Sequence, residues 1–183
     1  WSSREEETDL PQLETLIERY TNSKEYEEVI QVWMKIPEYQ KERVHLRTKI
    51  LYGNALMFLH QEEKAAEIYQ QIVDEMSASE QQKTDLVSLR RMLADLYTAA
   101  GNYSAAEKQY MNISKDYKNL GSVEEWSELQ LNILARSGQD SPELQKYSEL
   151  LRDYLGFIPE RDGYKIVWDA EEFLAEYPYS AVA

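Results

Sequence analysis

The chain of 183 residues carries 34 acidic against 20 basic side chains, a formal net charge of −14. This excludes a phosphate polyanion as partner, because nucleic-acid binding is built on a Lys/Arg surface that releases counterions. With no cysteine it has no disulfide framework, thiolate zinc site or cysteine nucleophile, and 43% hydrophobic residues with only 6 Gly and 5 Pro exclude low-complexity disorder.

Apolar residues recur at helical spacing along the whole chain, and the expected class is all-α. The start, WSSREEETDL, is neither a Met nor a signal peptide and reads as that of a processed or cut protein. From there the pattern predicts helices near 10–21, 24–36, 40–60, 62–76, 80–100, 103–118, 122–137, 142–155 and 164–177. Punctuation supports the boundaries: Asp9 before Pro11, Ser79 with Gln82 as a capping box, and Ser141 before Pro142 at a first helical position. No apolar run approaches the ~20 residues that span a bilayer, so no membrane insertion is expected of this segment.

The pattern also repeats. Tyr103, Ala106 and Tyr110 stand at i, i+3 and i+7; Glu62, Ala65 and Tyr69 do the same 41 residues earlier, and Tyr26, Val29 and Trp33 another 36 before that. Ala94 and Ala106, like Gly53 and Ala65, stand where the two helices of a hairpin approach closely, and a larger side chain would push them apart. Tyr97, Tyr103 and Tyr110 are rings that fill the gaps to the next pair, and Gly101 can take the positive φ that ends a helix. Trp33, Trp126 and Trp168 are expected to be buried anchors.

Residues 90–113, with Leu93, Ala94, Tyr97, Gly101, Tyr103, Ala106 and Tyr110, resemble the tetratricopeptide repeat family. The pair before keeps Gly53, Leu56, Ala65 and Tyr69 and departs with His60 and Glu62; the first keeps Tyr20, Tyr26 and Trp33 and departs with Ile17 and Val29. Residues 126–147 keep Gly138 and Tyr147 but have Asp140 and Glu143 where Tyr and Ala belong. The ending, with Phe173, Leu174, Tyr177, Pro178, Ser180 and Ala183, is similar to repeat junctions of bacterial cell-envelope members.

The resemblance implies one array over 1–183: an α-solenoid of antiparallel helix pairs with repeats near 10–37, 43–76, 84–118 and 122–155, then a last helix and the start of a further repeat over 164–183. It implies a non-catalytic scaffold that binds a partner protein or peptide in its concave groove, in a periplasmic or envelope complex, without cofactor. Groove-facing positions then fall at Arg47, Ile50, Asn54, Met57 and Phe58, and at Ser88, Arg91, Asp95, Thr98 and Ala99. Asn54 would pair a peptide backbone, Arg47 and Arg91 a carboxylate, and Met57 with Phe58 would anchor an apolar side chain. The plainer reading is that the basic run KERVHLRTK at 41–49 pairs with neighbouring glutamates on a solvated face.

Little else carries chemistry. His45 and His60 are 15 residues apart, unlike the i, i+4 of a helical metal pair. Acidic doublets at 62–63, 124–125 and 171–172 read as solvated faces, and no Gly-rich phosphate loop or nucleophile elbow occurs. The Asn-x-Ser triplets at Asn102 and Asn112 are attributed to chance. The alternative to a scaffold is a structural protein that self-assembles through exposed repeat ends. EYPYSAVA motivates it, since Pro178 stops a helix and Ser180 starts another; a further helix pair is expected after Ala183, with the present end frayed or in contact with another molecule.

Overall fold

The computed structural model describes residues 9–77, 83–118, 120–137 and 141–182. The capping box of Ser79 and Gln82, and the positions of Gly138, Asp140 and Ala183, lie outside them. Among the described residues the chain is all-α, with no strand. Its helices are α1 (Leu10–Asn22), α2 (Tyr26–Met34), α3 (Glu38–Lys41), α4 (Leu46–Phe58), α5 (Glu62–Ser77), α6 (Lys83–Ala99), α7 (Tyr103–Asp116), α8 (Gly121–Ser137), α9 (Pro142–Leu155), α10 (Pro159–Asp162) and α11 (Lys165–Glu176). Neighbours in sequence pack as pairs, α1 with α2, α4 with α5 and α6 with α7, and each pair packs on the next.

Local chemistry sets the ends. The Asp9, Asn102 and Ser141 side chains accept from the backbone N–H three residues on, at 3.3, 3.3 and 3.4 Å, and each satisfies one of the orphan donors of a helix start. Three helix ends share one turn. Lys24, His60 and Gly101 take positive φ of 58°, 56° and 78°, and the next residue's N–H returns to the carbonyl of Tyr20, Leu56 and Tyr97 at 2.9, 2.8 and 2.9 Å. These turns lie 36 and 41 residues apart, the intervals of the sequence pattern, and in two of them a residue with a Cβ bears the left-handed conformation that glycine takes freely.

Small residues stand where pairs close. Ala94 and Ala106 are fully buried together in one cluster with Tyr110 and Ile113. A Cβ on Gly53 would lie 2.9 Å from the Tyr69 ring, so this glycine sets the approach of α4 to α5.

Two elements depart from the sequence pattern. The single helix expected over 40–60 is broken into α3 and α4, because Val44 turns inward to join Val32, Trp33 and Ile36 in the core. His45, with extended φ −61° and ψ 144°, then starts α4. The short α10 was not foreseen: Pro159 opens it, the Asp162 carboxylate accepts from the Ile158 N–H at 2.9 Å, and Gly163 at φ 57° ends it. Four apolar clusters follow one another along the chain, and two of them enlist its last third: Leu155 joins the cluster of Leu56, Met57 and Tyr69, and Ile158 packs on that of Ile17, Tyr26 and Val29.

That long-range closure comes from α9, whose main contacts are with α6 and α11; its contact with α8 is smaller. The Tyr103 hydroxyl meets Ser148 at 2.9 Å, and the Tyr147 hydroxyl donates to Gln130 at 2.5 Å. Past Tyr177 the described residues form turns where the sequence suggested a new helix, and Ala181 and Val182 pack, partly buried, against the cluster of Ile133, Leu144, Tyr147 and Phe173. Among the described residues no helix is long and apolar enough to cross a membrane.

Candidate functional site

The residues assigned to one groove are distributed over three places. The first is a cleft of about 340 Å³ between α1 and α4, lined by Pro11, Glu14, Thr15, Glu18, His45, Arg47, Thr48 and Leu51. Glu14 and Glu18, one turn apart on α1, face Thr48 and Leu51 of α4. The Glu14 carboxylate accepts from the Thr48 hydroxyl at 2.7 Å and pairs with His45 Nδ1 at 2.7 Å. Arg47 Nη2 donates to Glu18 Oε1 at 2.7 Å, with three-quarters of the Arg47 side chain in solvent. The run at 41–49 therefore does pair with glutamates, within α3 at Lys41–Glu38 (2.7 Å) and otherwise between helices, where Lys49 likewise crosses to Glu75 at 2.9 Å.

The second place is the end of α4. Ile50 is half-buried against the core, and Asn54 accepts a hydrogen bond from the Tyr69 hydroxyl. Phe58 stacks on Tyr26 with ring centroids 4.6 Å apart, and Met57 is buried with Leu155. These side chains cannot present an apolar anchor to a partner, which corrects the expectation for Met57 and Phe58. Apolar positions on the face of α4 are satisfied by residues 155–158, a segment too distant in sequence for the repeat pattern to register.

A bracket of polar groups holds that segment down. Arg161 donates to the Phe58 carbonyl at 2.7 Å and to the Gly156 carbonyl at 2.6 Å, and its guanidinium lies 3.1 Å from His60 Nε2. Asp162, 2.8 Å from Arg161 Nε, has its carboxyl held down to about 2, chiefly by that hydrogen bond. Arg152 Nε lies 3.2 Å from the buried Glu62, and Lys24 pairs with Glu160 at 2.6 Å. Beside the bracket is a cleft of about 380 Å³ lined by His60, Glu62, Lys64, Ala99, Ala100 and Arg152. Of the bracket's members, Lys24, Arg152, Glu160, Arg161 and Asp162 were not singled out in the sequence. The dipeptides Ile-Pro and Asp-Gly flanking Glu160 and Arg161 were the available signal, as the start and stop of a short helix.

The third place is the face of α6. The Arg91 guanidinium lies 4.3 Å from the centroid of the Trp126 ring, a stacked cation that joins α6 to α8. Asp95 Oδ1 accepts from the Tyr110 hydroxyl at 2.8 Å, which in turn contacts the Thr98 hydroxyl at 3.0 Å. Burial raises the Asp95 carboxyl to about 6, against the opposing pull of the Tyr110 hydrogen bond and the Arg91 charge. Arg91 and Asp95 thus serve contacts inside the fold.

So Arg47 alone of the seven assigned residues stays on an open polar surface, and Arg47, Asn54 and Arg91 do not converge as a clamp. Trp33 is buried as expected, stacked on Tyr52 at 4.3 Å, and Trp126 packs edge-on to Tyr110. Trp168 is a correction, because it is 67% exposed: α11 buries only Phe173, and Trp168 stands on the opposite side of that helix. Among the described residues no three His, Cys, Asp or Glu side chains are grouped so as to hold a metal ion. Comparison of the chain with protein-family models, with curated proteins and with solved structures found no match.

Proposed function

We propose that the chain is a non-catalytic scaffold, a tetratricopeptide-like α-solenoid that holds a segment of a partner protein in the cleft between α1 and α4. Support for the frame comes from the three equivalent turns at Lys24, His60 and Gly101 and from the small residues at the α4–α5 and α6–α7 contacts. The observation that carries the site is Arg47. It stands at the mouth of the α1–α4 cleft and is held only by an exposed pair with Glu18, worth roughly 0–1 kcal/mol. A carboxylate on an incoming peptide can take over such a guanidinium with little loss. Pro11 and Leu51 supply apolar wall beneath it.

Parallel affinity capture with the purified chain and its Arg47→Glu variant tests the reading. A partner that binds the chain and is lost from the variant, while circular dichroism is unchanged, is the expected result. A partner that the variant holds with equal affinity places the site elsewhere.

A further inference from the structure

The helix α11 shows the protein one face and solvent another of similar character. Phe173 is its one buried residue, packed with Tyr177 near Tyr147, while Lys165 ties its first turn to Asp153 at 2.8 Å. On the other side Val167, Trp168 and Leu174 are 49%, 67% and 45% exposed, and Tyr164 at the helix start is 76% exposed. At 3.6 residues per turn, Val167, Trp168, Glu171 and Leu174 fall within an arc of about 120°, opposite Phe173. Single exposed apolar side chains need no explanation, but an aromatic and two aliphatics in one stripe of a helix mark a contact surface.

Charge identifies the occupant. Glu171 lies in the middle of the stripe, one turn from Val167, Trp168 and Leu174, and makes no ion pair among the described residues. The nearby acids are engaged: Asp169 with Lys165, and Glu172 and Glu176 with Lys146. We propose that this face docks an amphipathic helix of a partner protein that carries a Lys or Arg in the middle of its apolar stripe, Trp168 acting as the anchor and Glu171 as the counter-charge. A second copy of the chain fits poorly, since it would set Glu171 against Glu171 between two molecules of net charge −14. The same negative charge opposes an anionic lipid surface. The proposal rests on the scaffold reading but places a partner on a different surface from the α1–α4 cleft.

The test uses a fluorescent synthetic helix of about 18 residues, long enough to be helical when docked, with a Leu/Ala stripe, a neutral polar face and one central Lys, beside a twin with Glu in place of that Lys. Binding is read by fluorescence anisotropy at physiological salt against the full chain, Trp168→Ala, Glu171→Lys and Glu63→Lys, the last an exposed glutamate on α5. The chain should prefer the Lys peptide, and Trp168→Ala should weaken it about tenfold or more, as loss of a hot-spot aromatic does. Glu171→Lys should reverse the preference between the twins, and Glu63→Lys should not. Circular dichroism controls for folding, and an exposed side chain can be removed without opening the core.

The proposal is overturned by no binding of the Lys peptide, by unchanged affinity of Trp168→Ala, or by Glu63→Lys acting as strongly as Glu171→Lys, which would show only bulk charge. It is overturned equally by a dimer in sedimentation that Trp168→Ala converts to monomer, since the occupant would then be a second copy. Arg47→Glu should leave peptide affinity unaltered; loss of a partner on that substitution alone supports the cleft and says nothing for α11, so the two readings fail separately.

Discussion

Replacing Asp95 by Asn should stabilise the protein near neutral pH. The carboxyl is raised from 3.8 to about 6, with burial as the leading cause, so the folded state holds its proton more tightly than the unfolded chain does. The sign follows from linkage: the stabilising contribution of protonated Asp95 is complete below the unfolded value of 3.8 and is lost as pH rises through about 6. At pH 7 the ionised group costs about 3 kcal/mol, from a shift of about 2 units at 1.36 kcal/mol each. An Asn at this position cannot ionise and keeps an oxygen to accept from the Tyr110 hydroxyl. The value of about 6 already contains the attraction to Arg91, so an Asn that packs as the protonated acid does gains up to about 3 kcal/mol at pH 7.

The charged and titratable groups around Asp95 come from three helices, Arg91 on α6, Tyr110 on α7 and Tyr147 on α9. The tyrosines are raised by burial, Tyr110 well above 10 and Tyr147 further than any neutral buffer reaches, so both stay protonated and Asp95 is the group of this network that titrates in the window. Urea unfolding of both proteins from about pH 5, above the sequence pI of 4.6, to about pH 7 provides the assay. The stability difference in favour of the Asn variant should grow by about 1.3 kcal/mol over that range. Contributions from all other groups cancel between the two proteins. A difference that stays flat with pH would refute the assignment of a raised, buried carboxyl.

Other substitutions probe the packing. Ala106→Leu forces a larger side chain between α6 and α7 at a fully buried position and should cost roughly 1–3 kcal/mol in denaturant unfolding, while Ala99→Leu points into the open cleft beside His60 and Arg152 and should cost little; equal midpoints would refute the assignment of faces. Gly156→Ala places a Cβ 2.7 Å from the Met57 carbonyl and 2.9 Å from the His60 ring, so the 156–162 segment must lift from α4. Hydrogen exchange at the Phe58–Gln61 turn should accelerate in that variant, and unchanged protection would show that the bracket does not hold the segment down.

What the sequence pattern exposed was whatever repeats locally. The helix pairs, the turn at Gly101 and the Ala94–Ala106 contact all follow from spacings of a few residues, and spacing is what periodicity measures, whereas the matching turns at Lys24 and His60 carry no glycine to mark them. The closure by α9 and residues 155–162 was hidden, because it joins Arg161 to Phe58 and Arg152 to Glu62, over separations of 103 and 90 residues with no repeated pattern. That closure, which the repeat pattern does not register, is why Met57 and Phe58 were misplaced, while Asp95 was misplaced by its local partner Tyr110; all three residue types suit a groove and a core equally. Trp168 failed in the opposite sense: a tryptophan at helical spacing implies burial only when the helix has a neighbour on that side.

The closure also decides which surfaces stay open. Phe58 stacks on Tyr26 and gives its carbonyl to Arg161, Met57 lies with Leu155, and Glu62 faces Arg152, so the middle of the α4–α6 face is occupied by groups already desolvated and paired. Displacing them to admit a peptide would expose the Met57 and Leu155 side chains and strand the Glu62 carboxylate, and an incoming segment would have to replace each contact before it gained affinity. At the α1–α4 cleft only the exposed Arg47–Glu18 pair must rearrange, and at the outer face of α11 nothing must. Binding at either of those surfaces therefore begins without a cost that the middle of the face imposes, and this favours partners that engage the two ends of the chain over one laid along its centre.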